Sequence, residues 1–256
     1  MSLEEALTGL DTLARRLRRD CPWDREQTAK TIVPHTIEEA YEVADAALSD
    51  DDAKLLDELG DLLFQVYFLA LLLEEKRQGD LESVARSIHD KLVRRHPHVF
   101  AGEEITTPGA VRSRWERVKR EQEGREGIFH DVPESLPALI QARKVQRRAA
   151  AVGFEYPDLD GALSDLDDEL RELREELGSG SDERRAAELG DLLFACVNVA
   201  RRVGADPELE LRRATRRFRE RVETAEQLAE AAGETWTELP LAEQDRYFDR
   251  AKEAAE

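Results

Sequence analysis

The heptapeptide Glu-Leu-Gly-Asp-Leu-Leu-Phe stands at residues 58–64 and again at 188–194. A second acidic element recurs at the same offset of 130 residues: Glu38-Glu39-Ala40-Tyr41-Glu42 is echoed by Asp168-Glu169-Leu170-Arg171-Glu172. Two separate motifs sharing one offset mark a tandem duplication. Both halves are therefore expected to fold on one plan. Each carries two carboxylate pairs spaced three residues apart, which places both members of a pair on one helix face. The expected plan is all-α. Charged residues make up 37% of the chain and aromatics only 6%. Ala, Leu, Glu and Arg dominate, and these are strong helix formers.

Helical periodicity runs through nearly the whole chain. Leu3, Ala6, Leu7, Leu10, Leu13 and Leu17 form a stripe at steps of three and four. Asp20-Cys21-Pro22-Trp23-Asp24 is expected to break that helix. A second helix is predicted from near Pro34, through the 38–42 motif, to about Leu48. The turn at 49–52 supplies caps for a third helix, which carries the first heptapeptide to about Lys76. A fourth helix is expected over Leu81–Arg95, then a loop from Pro97 to Pro108, then a fifth helix with Trp115 and Lys119. Two glycines and two prolines in Gly124–Pro137 mark a boundary. The expected organisation is thus a repeat over 1–123, a linker over 124–136 and a repeat over 137–256, each a bundle of four to five helices. In the second repeat, helices are predicted over Pro137–Val152, Leu159–Leu177, the segment with the second heptapeptide, Leu209–Ala232 and Leu241–Ala255.

The short turns force the two motif helices of each half to run antiparallel. Fifteen residues separate Glu42 from Glu58, enough for two helical turns each way and a tight loop. Glu39, Glu42, Glu58 and Asp61 then face one another, as do Glu169, Glu172, Glu188 and Asp191. Gly60 fits a close helix approach at that level. Converging carboxylates raise one another's pKa unless a cation sits among them. An all-oxygen set with no nearby Cys or His favours Mg²⁺ or Mn²⁺ over Zn²⁺. Mg²⁺ commonly bridges carboxylates to substrate phosphates, so a phosphate-ester or phosphoanhydride substrate is expected. A lone Glu-x-x-Glu among 57 acidic residues is a solvated helix face. Recurrence in both halves, inside an apolar stretch read as core, favours a metal site instead.

Several classes are excluded. The net charge of −19 and pI of 4.8 oppose binding to nucleic acid or an anionic membrane. The N-terminal MSLEEALTGLD is acidic rather than basic then apolar, and no apolar run is long enough to span a bilayer. Cys21 and Cys196 form no disulfide framework. The cytoplasm is the expected compartment.

Beyond the acidic motifs, the chain carries Cys21-Pro22-Trp23-Asp24, the stretch Lys91-Leu92-Val93-Arg94-Arg95-His96-Pro97-His98-Val99-Phe100, Lys144-Val145-Gln146-Arg147-Arg148-Ala149 and Val152-Gly153-Phe154-Glu155. Together these resemble the MazG nucleoside triphosphate pyrophosphohydrolases over nearly the whole chain. The resemblance implies hydrolysis of a nucleoside triphosphate to monophosphate and pyrophosphate with Mg²⁺, by a homodimer of helical bundles. It implies Glu39, Glu42, Glu58, Asp61, Glu169, Glu172, Glu188 and Asp191 as metal ligands. Glu38 and Asp168 open the motifs; with Glu39 and Glu169 they are the candidates for orienting or deprotonating water. Lys91, Arg95, Trp115 and Lys119, and in the second half Arg217, Arg221, Phe248 and Lys252, resemble phosphate-contacting residues. Lys and Arg four apart are also commonplace on exposed helices, and Arg94 or Arg216 could substitute. Trp115 and Phe248 either stack on a base or pack, and packing is the default for a helical aromatic. The alternative class is a non-catalytic metal–nucleotide sensor or helical interaction module.

Overall fold

Local capping chemistry starts most of the helices. The computed structural model describes residues 1–49, 51–100, 107, 127–130 and 132–254. The Ser2 hydroxyl accepts from the Glu5 amide, and the Glu5 carboxylate accepts from the Ser2 amide, opening α1 (Leu3–Asp20). Thr28 with Thr31 opens α3 (Ala29–Leu48), Asp51 caps α4 (Asp52–Glu75), and Asp80 with Ser83 opens α5 (Leu81–Arg95). Among the described residues, the short helices α2 (Pro22–Glu26) and α6 (Pro97–Phe100) complete the first series. The second contains α7 (Ala138–Ala150), α8 (Leu159–Ser179) capped by Asp158, α9 (Asp182–Arg202) capped by Ser181, α10 (Pro207–Ala231) capped by Asp206, a 3₁₀ turn at Trp236–Glu238, and α11 (Leu241–Ala254). The described residues form no strand, as expected for an all-α chain.

The chain divides into two compact units, Met1–Arg125 and Glu126–Glu256. In the first, the α3–α4 hairpin is the principal packing pair, with α1 against α4. Its core joins Ile32, Phe68 and Leu72, flanked by Ala29, Phe64 and Leu69. Arg15 and Arg18 of α1 bind Glu74 and Glu75 of α4 and fasten the hairpin's far end. In the second unit, α8 pairs with α9, and α10 with α11. A core of Ala225, Ala229, Tyr247 and Ala251 lies between the latter two.

Several expectations are corrected. Helix α3 begins at Ala29 rather than near Pro34, because the Thr28 cap nucleates it. Pro34 sits inside the helix and forgoes one backbone hydrogen bond. The break after α1 is the single extended residue Cys21; Pro22 then starts α2 at the first helical position, where no amide is needed. Pro97–Phe100 is a helical turn rather than loop. Trp115 and Lys119 lie outside the described residues. The heptapeptides are core only in part: Phe64 flanks the first unit's core, while Leu59, Leu63, Leu189 and Leu193 are 40–52% exposed. Nor does Gly60 mark a close helix approach, since a Cβ there would meet nothing within 4 Å, and the same holds at Gly190.

Asp206 does two jobs. Its carboxylate accepts from the amides of Glu208 and Leu209 and pairs with Arg143 of α7. Asp206→Ala is expected to lower the melting temperature, with about 1 kcal/mol from the cap alone and more from stranding Arg143. Asp206→Asn should keep the cap and lose only the ion pair, so thermal melts of the two variants separate the contributions.

Candidate metal centre

The hairpin register builds the site. The Thr36 hydroxyl bonds the Gln65 side chain at 3.4 Å, and one turn before it Ile32 meets Phe68 in the core. One turn further on, antiparallel pairing sets Glu39 against Asp61, and the next turn sets Glu42 against Glu58. The electrostatics follow this register. After burial, the largest influence raising the Glu39 pKa is the Asp61 charge, followed by a hydrogen bond shared with Glu42. For Glu58 the order is burial, then Glu42.

Oxygens of Glu39, Glu58 and Asp61 lie within 4.8 Å of one another. In the second unit the corresponding group is Glu169, Glu172 and Glu188. Burial and then the Asp191 charge raise the pKa of Glu169. Each group of three therefore has its fourth predicted member in electrostatic contact. Ligands on opposite sides of Mg²⁺ stand about 4.2 Å apart, so both groups close around such an ion with small side-chain movement. The donors are hard oxygens only, which fits Mg²⁺ or Mn²⁺. Glu38 and Asp168 are exposed and turn elsewhere. Glu38 lies 3.7 Å from His35, and Asp168 accepts from Arg171 at 3.2 Å.

A raised carboxyl pKa has a definite consequence for stability. The folded chain holds protons on Glu39 and Glu58 above their ordinary value of 4.5. Without metal, these two groups therefore lose the fold stability as pH rises from 4.5 through their folded values. The double variant Glu39→Gln/Glu58→Gln is expected to melt higher than the wild type at pH 7 in chelator. The gain should vanish below pH 4.5, and Mg²⁺ should stabilise the first unit of the wild type but not that of the variant. Equal melting of the two proteins at pH 7 in chelator would show that the carboxylates are not in conflict.

The predicted cations stand on other helices. Lys91 and Arg95 are half-buried on α5, which rests on α4. Arg217 and Arg221 lie on α10, which packs chiefly on α11 rather than on the carboxylate hairpin. Phe248 packs at the edge of the α10–α11 core, 5.6 Å from the Phe218 ring. Lys252 lies over Phe248 at 4.9 Å and pairs with Asp249 at 2.8 Å.

Two cations were not anticipated. Lys54 lies 4.0 Å from Glu58. Arg171, where the first repeat has Tyr41, bonds Asp168, Glu172 and Glu175 at 3.1–3.4 Å. The Tyr41/Arg171 mismatch within the repeated motif was the available signal.

The MazG nucleotide pyrophosphohydrolase domain matches residues 27–100, the segment holding the first carboxylate hairpin. The chain is also 39% identical over 251 residues to the nucleoside triphosphate pyrophosphohydrolase of Escherichia coli (strain K12), covering 94% of this chain and 95% of that one. The chain belongs to the MazG family. A nucleoside triphosphate pyrophosphohydrolase/pyrophosphatase MazG from Thermotoga maritima is 38% identical, covering 97% of this chain and 95% of that one. The crystal structure of a MazG-related protein from Thermotoga maritima aligns with 44% of this chain and 99% of its own at 28% identity, with a TM-score of 0.40. For this MazG-family chain, the matched segment contains Glu39, Glu42, Glu58 and Asp61 together with Lys91 and Arg95.

Proposed function

We propose that this hydrolase cleaves the α–β phosphoanhydride of nucleoside triphosphates, releasing monophosphate and pyrophosphate, with Mg²⁺ or Mn²⁺ held by the two carboxylate groups. The reading is carried by the convergence of three carboxylate oxygens within 4.8 Å in each repeat, in a family whose named members are nucleoside triphosphate pyrophosphohydrolases. Glu39, Glu42, Glu58 and Asp61 would hold the ion in the first repeat, and Glu169, Glu172, Glu188 and Asp191 in the second. When bound, the ion supplies Lewis acidity toward phosphate oxygens and acidifies water. Glu39 and Glu169, half-buried carboxylates whose pKa burial and neighbouring charge raise, would accept the proton of the attacking water. Glu38 and Asp168 flank them in sequence and would orient the water only on turning away from His35 and Arg171. Lys91, Arg95 and Lys119, and in the second repeat Arg217, Arg221 and Lys252, are assigned to the polyphosphate; Trp115 is left to the base or to packing, and Phe248 to packing. Equal molar yields of monophosphate and pyrophosphate from a nucleotide panel are expected. Orthophosphate with diphosphate would reject the bond assignment. The role would be nucleotide-pool housekeeping in the cytoplasm; no described helix is long and apolar enough to cross a membrane.

The same proposal includes a homodimer. Leu56, Leu59, Leu63, Val66 and Leu73 of α4 are all 39–75% exposed. Their steps of three, four, three and seven draw the seam of a helix pair. On α9, Leu189 and Leu193 are exposed in the corresponding places, as is Val203 at its C-cap. A stripe of this length needs a helical partner, and a second copy supplies a self-complementary one. Light scattering is expected to give twice the 29.1 kDa chain mass. Leu63→Lys combined with Leu193→Lys should give monomer, whereas a monomeric wild type at micromolar concentration would remove the dimer from the proposal.

A further inference from the structure

Trp23 stands on α2, a tightly fastened link of the first unit. One Arg18 guanidinium nitrogen donates to the carbonyls of Asp24, Arg25 and Gln27 at 2.6, 2.9 and 3.0 Å. The other two guanidinium nitrogens hold Glu75 of α4 at 2.8 and 2.9 Å. Gln27 donates to the Trp23 carbonyl at 2.9 Å, and Asp24 is buried. The backbone under Trp23 is thus fixed on three sides. Yet the indole is 53% exposed. A large ring held out on a fixed backbone, when burial would be favourable, presents a contact surface.

Its neighbour shows where that surface lies. The indole meets the His35 imidazole edge-on, with ring centroids 5.8 Å apart and planes at 68°. His35, Glu39 and Glu42 occupy positions i, i+4 and i+7 on one face of α3. His35 is about 6 Å along the helix from Glu39. Trp23 therefore stands, through His35, about one helical turn from Glu39, toward the start of α3. Near the equivalent position of the second repeat stands another exposed aromatic on a fastened backbone. Phe154 is 83% exposed, and the next residue, Glu155, is gripped by Arg201 and Arg202 at 2.6 and 3.0 Å.

We infer that Trp23 is a nucleobase platform: a nucleoside triphosphate whose phosphates meet the ion at Glu39, Glu58 and Asp61 lays its base on the indole, with His35 between the two. The assignment rests on the hydrolase reading of the same site and adds its substrate selection. Every base has a π-face, so stacking distinguishes a nucleotide from a bare polyphosphate rather than one base from another.

The test uses the full chain carrying Glu188→Gln, which silences the second carboxylate group. Calorimetry with Mg²⁺ compares two probes: an α,β-methylene nucleoside triphosphate, which cannot be cleaved at the proposed bond, and inorganic tripolyphosphate, which has no base. Trp23→Leu is expected to weaken the nucleotide analogue by about tenfold or more, the range of one lost base stack, and to leave tripolyphosphate unchanged. Trp23→Phe should restore most of the affinity. Equal weakening of both probes would make Trp23 a structural residue and overturn the platform; unchanged affinity for the analogue would overturn it too. The hydrolase reading fails separately, by absence of pyrophosphate release from wild type.

Discussion

Glu58→Gln combined with Glu188→Gln is expected to reduce pyrophosphate release by about a thousandfold, because a bound divalent ion supplies several kcal/mol of transition-state stabilisation and each 1.36 kcal/mol is a factor of about ten in rate. The two residues are the half-buried acids of α4 and α9, and both belong to the groups of three convergent oxygens. Glutamine keeps the volume and removes the charge, so the helix pairs should remain folded. The expected signature is loss of turnover with retained helicity and weakened binding of Mn²⁺ to the chain alone. Retained turnover in the double variant would sink the metal-site reading. The single variants then divide the work between the repeats, which differ in their resident cations. In the first, Lys54 stands 4.0 Å from Glu58. In the second, Arg171 bonds Glu172 directly at 3.4 Å. An arginine on a ligand carboxylate competes with a metal ion for it. Glu58→Gln alone is therefore expected to remove more activity than Glu188→Gln alone, and rate measurements on the two proteins decide this.

The carboxylate register was legible because it depends on backbone geometry alone. Spacings of three residues fix a helix face, and a four-residue turn fixes the antiparallel sense. Glu39 opposite Asp61 and Glu42 opposite Glu58 follow from those two facts. The environment of the heptapeptides was not legible. A stripe at Leu56, Leu59, Leu63 and Val66 has the same period whether it faces its own core or another helix pair. Residue type gives apolarity, but only packing says against what. Pro34 misled for a related reason: a proline marks a helix start by default, yet a strong cap at Thr28 and the packing of Ile32 outweigh one missing hydrogen bond. Arg171 was visible as a letter, but its three carboxylate partners come from rotamer and helix position together. The cationic sets shared a spacing that exposed helices use everywhere, so their helical faces could not be tied to the carboxylates from sequence.

Phe68→Ala is expected to destabilise the first unit by about 3–5 kcal/mol, the range for truncating a buried aromatic. Phe68 is 1% exposed and contacts Ile32 and Leu72; its ring lies 5.9 Å from Phe64 and 6.0 Å from the Arg18 guanidinium. A domain's total stability is about 5–15 kcal/mol, so this one ring carries a large share. The loss should not be confined to stability. Asp61, Gln65 and Phe68 fall at i, i+4 and i+7 on the face of α4 that meets α3. The ring therefore helps to hold the register that brings Asp61 to Glu39. Denaturant unfolding should show the first unit's transition moving to lower concentration, while the transition of the second unit stays in place. Mg²⁺ should then shift the variant's first transition less than it shifts the wild type's. Phe68→Leu refills most of the volume and is expected to cost under about 1.5 kcal/mol, with the metal response preserved. A full metal response in Phe68→Ala would mean that the carboxylates converge without the core beneath them, and that the short connection between α3 and α4 alone sets the site.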